Sequence, residues 1–472
     1  MARGTQVAVR CEQLARFLPW IILAALAWTA ACVAPLDSWA QPRLASAYAL
    51  ARGQELYLDL HSGAQLCWLY GPGFAVWMLP ITLIPSLAWA EAVAVIANAL
   101  ALLGALLWCL RPDTPDWRTA LDRTGWTGLI VCSASLTAGW FGGLHVDPLC
   151  IAFMLVALGA ARRHLHSGAT RWLHLSALAV ALAVWTKQTA AVFPVVLVVG
   201  WGWERRWSLV FRWGGLTFGY TAVLSLLVGG VFGFGRIWFY IVAIHQRLPW
   251  RAADGYFSLT GDTLWLDLLP WAALAALPWA VRRLKSFPPS PDSASPYAWL
   301  GLAMLPFGVA AALKEGGGFN SAHGLFFAAV AIGLRLHAVA SFGPVRLAAV
   351  LLLGVLALGN NSGRLGQWTP SPYQDRLLAI AQAQRGRLYL PWNPLITLVS
   401  DGKVYPFEYA LYAREITDSA LTPSEIRNAL PEDPVILYDP LAATRTITRY
   451  LPEARPVTLH AHLATSQGAI AR

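Results

Sequence analysis

Five short stretches of this 472-residue chain carry charged or hydrogen-bonding side chains against an apolar background. The first runs from Asp37, in Pro-Leu-Asp-Ser-Trp, through Glu55, Tyr57, Asp59 and His61 to Tyr70-Gly-Pro-Gly. A carboxylate here is a candidate general base, provided a cation or hydrogen-bond donor keeps it ionised beside an apolar phase. Asp37 and Asp59 are the two candidates, and the competing role for each is that of a solvated loop residue. In the second stretch, His145-Val-Asp147-Pro148, the proline opens a helix, so capping by Asp147 stands beside a role in a site. The third, Trp185-Thr-Lys187-Gln188, sets a lysine inside a long apolar run. Charge at membrane depth is costly and marks function; snorkelling to the interface is the alternative.

The fourth stretch follows Phe234 and holds His245, Arg247, Trp250, Arg251, Asp254 and Tyr256, whose positive charges run against the topological bias and suit an anionic partner. The fifth is Lys314-Glu315-Gly-Gly-Gly-Phe-Asn320-Ser-Ala-His323. Its glycines let backbone come close to a ligand between an ion pair and two hydrogen-bonding side chains, with a flexible turn as the plain alternative. Asp59, His61 and His145 are residue types that bind a divalent ion, but no spacing marks a metal site. Phosphate-binding loops, nucleophile elbows, zinc-protease signatures and dinucleotide fingerprints do not occur.

The composition decides what kind of molecule must position these groups. Hydrophobic residues make up 57% of the chain and charged ones 13%, with a mean hydropathy of +0.50. Soluble domains are roughly 45–50% apolar and about 25% charged. The chain is therefore read as an all-α polytopic membrane protein, which excludes a soluble enzyme, a disordered protein and a nucleic-acid binder despite the net charge of +10. Residues 1–360 hold 24 Lys and Arg against 15 Asp and Glu, whereas residues 361–472 hold 11 against 10. The basic excess thus belongs to the membrane portion, where cytoplasmic loops collect it. The six cysteines form no Cys-x-x-Cys pair, and none lies in the tail.

Twelve apolar runs lie between Phe17 and Asn360. Arg3, Arg10 and Arg16 precede the first, which reads as a signal anchor, with a signal cleaved near Ala31-Cys-Val-Ala34 as the alternative. Were all twelve runs to cross, the Arg pairs at 162/163, 205/206 and 282/283 would face outward, against the positive-inside rule. Pro80 and Pro85 spoil the first half of Gly73–Leu110 as a straight helix, so that stretch is expected to dip into the outer interface and cross once. About 11 net crossings follow, and 17 of the 24 basic residues then lie inside. The predicted parts are a cytoplasmic N-terminus (1–16), a membrane domain (17–360) with a first outer catalytic loop (35–72), and an extracytoplasmic C-terminal domain (361–472). All five polar stretches fall on the outer face. The tail, with strand-like strings at Arg387–Leu390 and Val435–Tyr438 and helix-like ones at Tyr373–Gln384 and Pro423–Leu430, reads as a small α/β domain.

The order of these parts resembles the GT-C class of integral-membrane glycosyltransferases, in the branch with protein O-mannosyltransferases and the bacterial lipid A aminoarabinose transferase. It rests on the acidic first loop with Ala49-Leu-Ala-Arg-Gly-Gln-Glu-Leu-Tyr-Leu-Asp59-Leu and Tyr70-Gly-Pro-Gly, on His145-Val-Asp-Pro-Leu149, on the Lys187 string and on the outer tail. Ser38 follows Asp37 where many relatives have a second acid, and Tyr70-Gly-Pro replaces a Tyr-Pro-Pro.

The resemblance implies a sugar donor carried on a polyprenyl phosphate and a lipid, glycan or protein acceptor, with inversion at the anomeric carbon. Asp37 would be the base, with Asp59 next. Lys187, Arg247 and Lys314 would stabilise the departing phosphate, with Asp147 orienting Lys187. Glu315, Asn320, His323, Tyr57 and Tyr70 complete the expected binding set, and a divalent metal is left open. Arg outnumbers Lys 31 to 4, as in GC-rich bacterial genomes, so the expected location is a bacterial inner membrane with the outer face periplasmic. A transporter or flippase of a lipid-linked sugar, an O-antigen ligase or polymerase, and a non-enzymatic assembly protein are the alternatives. No internal repeat supports the transporter.

Overall fold

The computed structural model describes residues 2–33, 40–66, 68–114, 116–133, 143–250, 294–315, 321, 323–339, 343–360, 368–438, 446–451 and 457–458. Asp37, Asn320, Arg251, Asp254 and Tyr256 lie outside the described residues, as does the apolar run Leu264–Val281.

The apolar runs fold as helices: α1 (Ala2–Val33), α4 (Leu87–Leu110), α5 (Trp117–Ser133), α6 (Asp147–Ser167), α7 (Thr170–Thr186), α8 (Val192–Trp203), α9 (Trp207–Phe232), α10 (Ser295–Ala312), α11 (His323–Val339) and α12 (Gly343–Asn360). Between α1 and α4 lie α2 (Ala40–Ala51) and the short α3 (Gly73–Trp77). Among the described residues four segments, Arg10–Val33, Leu87–Asp113, Asp147–Ser167 and Trp207–Phe232, are long and apolar enough to cross a membrane. Helix α9 leaves Phe211 and Phe218 73% and 77% exposed, a surface that water would penalise and lipid accepts. The prolines divide Gly73–Leu110 as expected: α3 gives way to a 3₁₀ turn at Leu79–Leu83 that contains Pro80, and α4 starts beyond Pro85.

The chain forms two compact units. The first comprises Met1–Ala30, Val95–Leu224 and Trp250–Trp368; the second comprises Ala31–Ala94, Ser225–Pro249 and Thr369–Arg472. In the first unit α6 packs on α7, α10 on α11, and both α11 and α12 on α5. Small residues bring these helices close. A Cβ at Gly301 would lie 2.8 Å from the backbone nitrogen of Ala328, and one at Gly333 would lie 3.1 Å from Thr127 Oγ1. Lipid gives helices no hydrophobic reason to associate, so such close contact supplies the van der Waals attraction instead.

The second unit contains α2, α3, α13 (Tyr373–Ala383), α14 (Pro394–Asp401), α15 (Glu408–Glu415) and α16 (Pro423–Asn428). Three short strands, β1 (Leu388–Tyr389), β2 (Val435–Tyr438) and β3 (Val457–Thr458), form a parallel sheet in that order. Parallel pairing requires crossovers, and α14, α15 and α16 supply the first. Trp392, Phe407, Leu411, Ile426 and Ile436 are buried together in its core. Helix α14 packs on both α2 and α13. Asp375 caps α4, accepting from the Leu87 amide at 2.7 Å and the Ser86 hydroxyl at 2.6 Å.

Candidate functional site

A charged cluster lies inside the first unit. Asp147 begins α6 with Pro148 behind it, while the apolar Val146 holds the cap position. The Asp147 carboxylate reaches beyond its own helix. Its Oδ1 accepts from Lys187 Nζ at 2.6 Å and stands 2.7 Å from His323 Nε2. Lys187 occupies an extended break, φ −149° and ψ 123°, between α7 and a 3₁₀ turn at Gln188–Ala191. Its ammonium also donates to Ser321 Oγ at 3.2 Å. His323 begins α11. The three side chains therefore tie together three helix ends, and the α6 N-terminus favours the carboxylate through its dipole.

All three are nearly inaccessible, at 0% exposure for the Asp147 side chain, 4% for Lys187 and 1% for His323. His323 Nδ1 has no partner among the described residues. Nearby in sequence, the carbonyl of half-buried His145 accepts from Asn98 Nδ2 at 2.9 Å, an amide on α4, whose one other polar side chain is the buried Glu91. Two further candidates of this unit lie elsewhere in it. Lys314 is half-buried with its ammonium 5.3 Å from the centre of the Trp250 ring, a cation–π contact, and the half-buried Glu315 follows it.

The first loop belongs to the second unit, where its acids and aromatics are tied down. Arg236 bonds Glu55 at 2.5 Å and lies 3.7 Å from Asp59. The buried Tyr57 donates its hydroxyl to the Tyr70 carbonyl at 2.5 Å and meets the ring of Tyr240 at 6.0 Å. Burial pushes the Tyr57 hydroxyl well above the usual tyrosine range, so it stays a donor. Tyr240 itself donates to the Leu58 carbonyl and to Gln65. His245 holds the Leu69 carbonyl at 3.1 Å, and Arg414 donates to the Leu60 carbonyl at 2.7 Å. Arg247 is exposed at the end of the helical turn Ile244–Arg247.

Two consequences can be measured. Gly63, at φ +70°, faces the Glu425 carbonyl and lies so close that an added Cβ would also meet Ala429 Cβ at 3.0 Å. A Gly63→Ala substitution is expected to destabilise the unit by more than about 1 kcal/mol, because it combines a positive φ with a clash. A lower unfolding midpoint and faster proteolysis of residues 55–66 would register it; unchanged behaviour would refute this packing.

The second concerns Glu425, which completes a capping box with Thr422. The Thr422 backbone amide, then its hydroxyl and the facing His61 ring at 3.0 Å, hold the Glu425 carboxyl below the ordinary glutamate value of 4.5. A depressed folded-state value means that this contribution is present above pH 4.5 and is lost as pH falls through the folded-state value. Carbon-detected titration of Glu425 should give a value below 4.5 that returns toward it in Thr422→Ala. Identical titration in the two proteins would contradict the capping account.

The structure therefore brings Asp147, Lys187 and His323 together, and it joins Tyr57 to Tyr70. Asp59 meets Arg236, while His61 meets Glu425. Among the described residues no three His, Cys, Asp or Glu side chains form a metal cage. Sequence reasoning passed over Ser321, Asn98, Arg236, Gln65 and Tyr240. Asn98 was detectable as a lone amide on an apolar helix, and Arg236 as a cation against the topological bias; the others carry no local signal.

Apolar helices with lipid-compatible surfaces and buried charged ends are the frame of a polytopic membrane protein. The sequence profile of glycosyltransferase family 87 matches residues 68–359, more than half of the chain, and the chain belongs to that family. Its fold is of the GT-C type and is similar to that of ArnT from Cupriavidus metallidurans. Against the ArnT structure bound to undecaprenyl phosphate, the identity is 16% and the TM-score 0.50, over 94% of this chain and 90% of that one. Against the apo state the identity is 16% and the TM-score 0.51, over 93% and 85%. A search of curated proteins finds no match. The protein is a membrane glycosyltransferase.

Proposed function

We propose that this glycosyltransferase takes its sugar from a polyprenyl-phosphate donor and passes it to a lipid, glycan or protein acceptor on the outer, periplasmic face of the inner membrane. The observation that carries this reading is the similar fold of ArnT, a protein solved with undecaprenyl phosphate bound. A donor delivered from within the bilayer needs no nucleotide-binding fold, and the sequence has no phosphate-binding loop or dinucleotide fingerprint.

In the proposed reaction Asp37 takes the proton of the acceptor O–H or N–H as that atom bonds to the anomeric carbon. The bond from that carbon to the phosphate oxygen breaks, its electron pair leaves with the lipid phosphate, and configuration inverts. A cation fixed where water is scarce lowers the energy of the departing phosphate. Arg247 and Lys314 are assigned to it, each in its own unit and each to be tested alone. Asp147 already balances the charge of Lys187, so Lys187 and His323 are assigned a positioning role that sets the ends of α6, α7 and α11. The reading includes about eleven crossings, residues 1–16 in the cytoplasm, and residues 361–472 as an extracytoplasmic α/β domain.

The test is turnover of a radiolabelled polyprenyl-phosphate sugar by the purified protein in the presence of membrane extract. Label must pass from the lipid into an acceptor. Donor bound with no label released would overturn the proposal.

A further inference from the structure

We infer that a groove of about 880 Å³ within the second unit binds a short neutral oligosaccharide. Its role as an acceptor site rests on the transferase reading above; its choice of ligand rests on the groove alone. The walls come from the first loop at 53–64, the turn at 386–387, the turn at 402–405 after α14 and the turn at 428–433 that leads into β2. The volume falls within the ~300–1,000 Å³ usual for small-ligand sites.

The chemistry of the walls selects the ligand. Gln54 donates its side-chain amide to the Gly402 carbonyl, whereas its Oε1 is shut off from solvent and has no partner among the described residues. Arg387 is paired with Asp433 at 2.8 Å, and Glu55 with Arg236. Lys403 and Glu432, one of each sign, are exposed and make no hydrogen bond or ion pair among the described residues. Gly402, at φ +73°, has nothing within 4 Å of the place a Cβ would take, so bare backbone faces open space there. Tyr405 contributes an aromatic edge, its hydroxyl engaged by Asp401 at 2.9 Å.

A sugar hydroxyl donates and accepts at once, which suits a wall offering both an exposed ammonium and an exposed carboxylate. The lining holds three acids, Glu55, Glu432 and Asp433, against two bases, Arg387 and Lys403, so a phosphate, a uronic acid or a nucleic acid would meet a wall of net negative charge. Neutral glycan is therefore favoured over anionic glycan.

The test is saturation-transfer NMR on the full-length protein in nanodiscs, with maltotriose, mannotriose and chitotriose as neutral probes and trigalacturonate as the charged one. At least one neutral probe should bind, and more tightly than trigalacturonate. The double variant Lys403→Ala/Glu432→Ala, with an unchanged unfolding midpoint, should bind it at least about tenfold more weakly, the factor that loss of a charged hydrogen bond carries. No binding by any neutral probe, equal binding by the variant, or preference for trigalacturonate would each overturn the inference. Donor cleavage by the wild-type protein is scored separately. If cleavage fails while a neutral sugar still binds at Lys403 and Glu432, the transferase reading falls and the binding site stands.

Discussion

Replacing Lys187 by methionine is expected to destabilise the protein by about 3–5 kcal/mol, the usual cost of leaving one partner of a buried pair alone. Asp147 is wholly buried, and Lys187 Nζ lies 2.6 Å from it. Methionine fills most of the lysine volume, so the loss reports charge rather than a cavity. The double variant Lys187→Met/Asp147→Leu should recover part of the stability, since an apolar pair replaces the ion pair while the buried His323 loses its Asp147 partner. Denaturant unfolding in detergent compares the three proteins. If the single variant is as stable as wild type, the charges are hydrated and the cluster is not the buried pair described here. The pair also discriminates between roles. A positioning function predicts that the double variant folds but turns over slowly.

The second large effect is on rate. Asp37→Asn should lower kcat by about 10²–10⁴-fold, the contribution of a placed general base. The amide is nearly isosteric with the carboxylate but cannot accept the proton, so the loss should appear in kcat with the donor KM little changed. A variant that raises KM at constant kcat would make Asp37 a binding residue, and the next candidate base would be Asp59. Asp59 lies 3.7 Å from Arg236 in the first loop.

Much of the fold could be read from the chain because lipid imposes a simple rule: backbone polar groups in hydrocarbon must bond within their own segment, so long apolar runs become helices. The break at Pro80 and Pro85 was readable for a similarly local reason, the missing amide and fixed φ of proline. Strand-like strings at Arg387–Leu390 and Val435–Tyr438 correspond to β1 and β2, and the helical ones to α13 and α16. The parallel order of β1, β2 and β3 was not readable, since two- and four-residue strands carry no alternation to show a face.

The site divides along the same line. His145-Val-Asp147-Pro148, the Lys187 string and His323 each stood out alone, because charge is rare in such surroundings. Their mutual contact spans separations of 40 and 176 residues. No local pattern encodes that; the family resemblance alone supplied the pairing of Asp147 with Lys187, and the place of His323 beside Asp147 had no signal in the sequence. The hold of Arg236, Tyr240 and Arg414 on the first loop was hidden for the same reason.

The most direct measurement reconstitutes the purified protein into liposomes holding a radiolabelled polyprenyl-phosphate sugar and follows both the label and the lipid. With membrane extract supplying the acceptor, a glycosyltransferase predicts that label passes from the lipid into that acceptor and that Asp37→Asn stops the transfer. Labelled lipid that crosses the bilayer with its sugar still attached, at equal rates in both proteins, would contradict the account and make the chain a carrier of lipid-linked sugar.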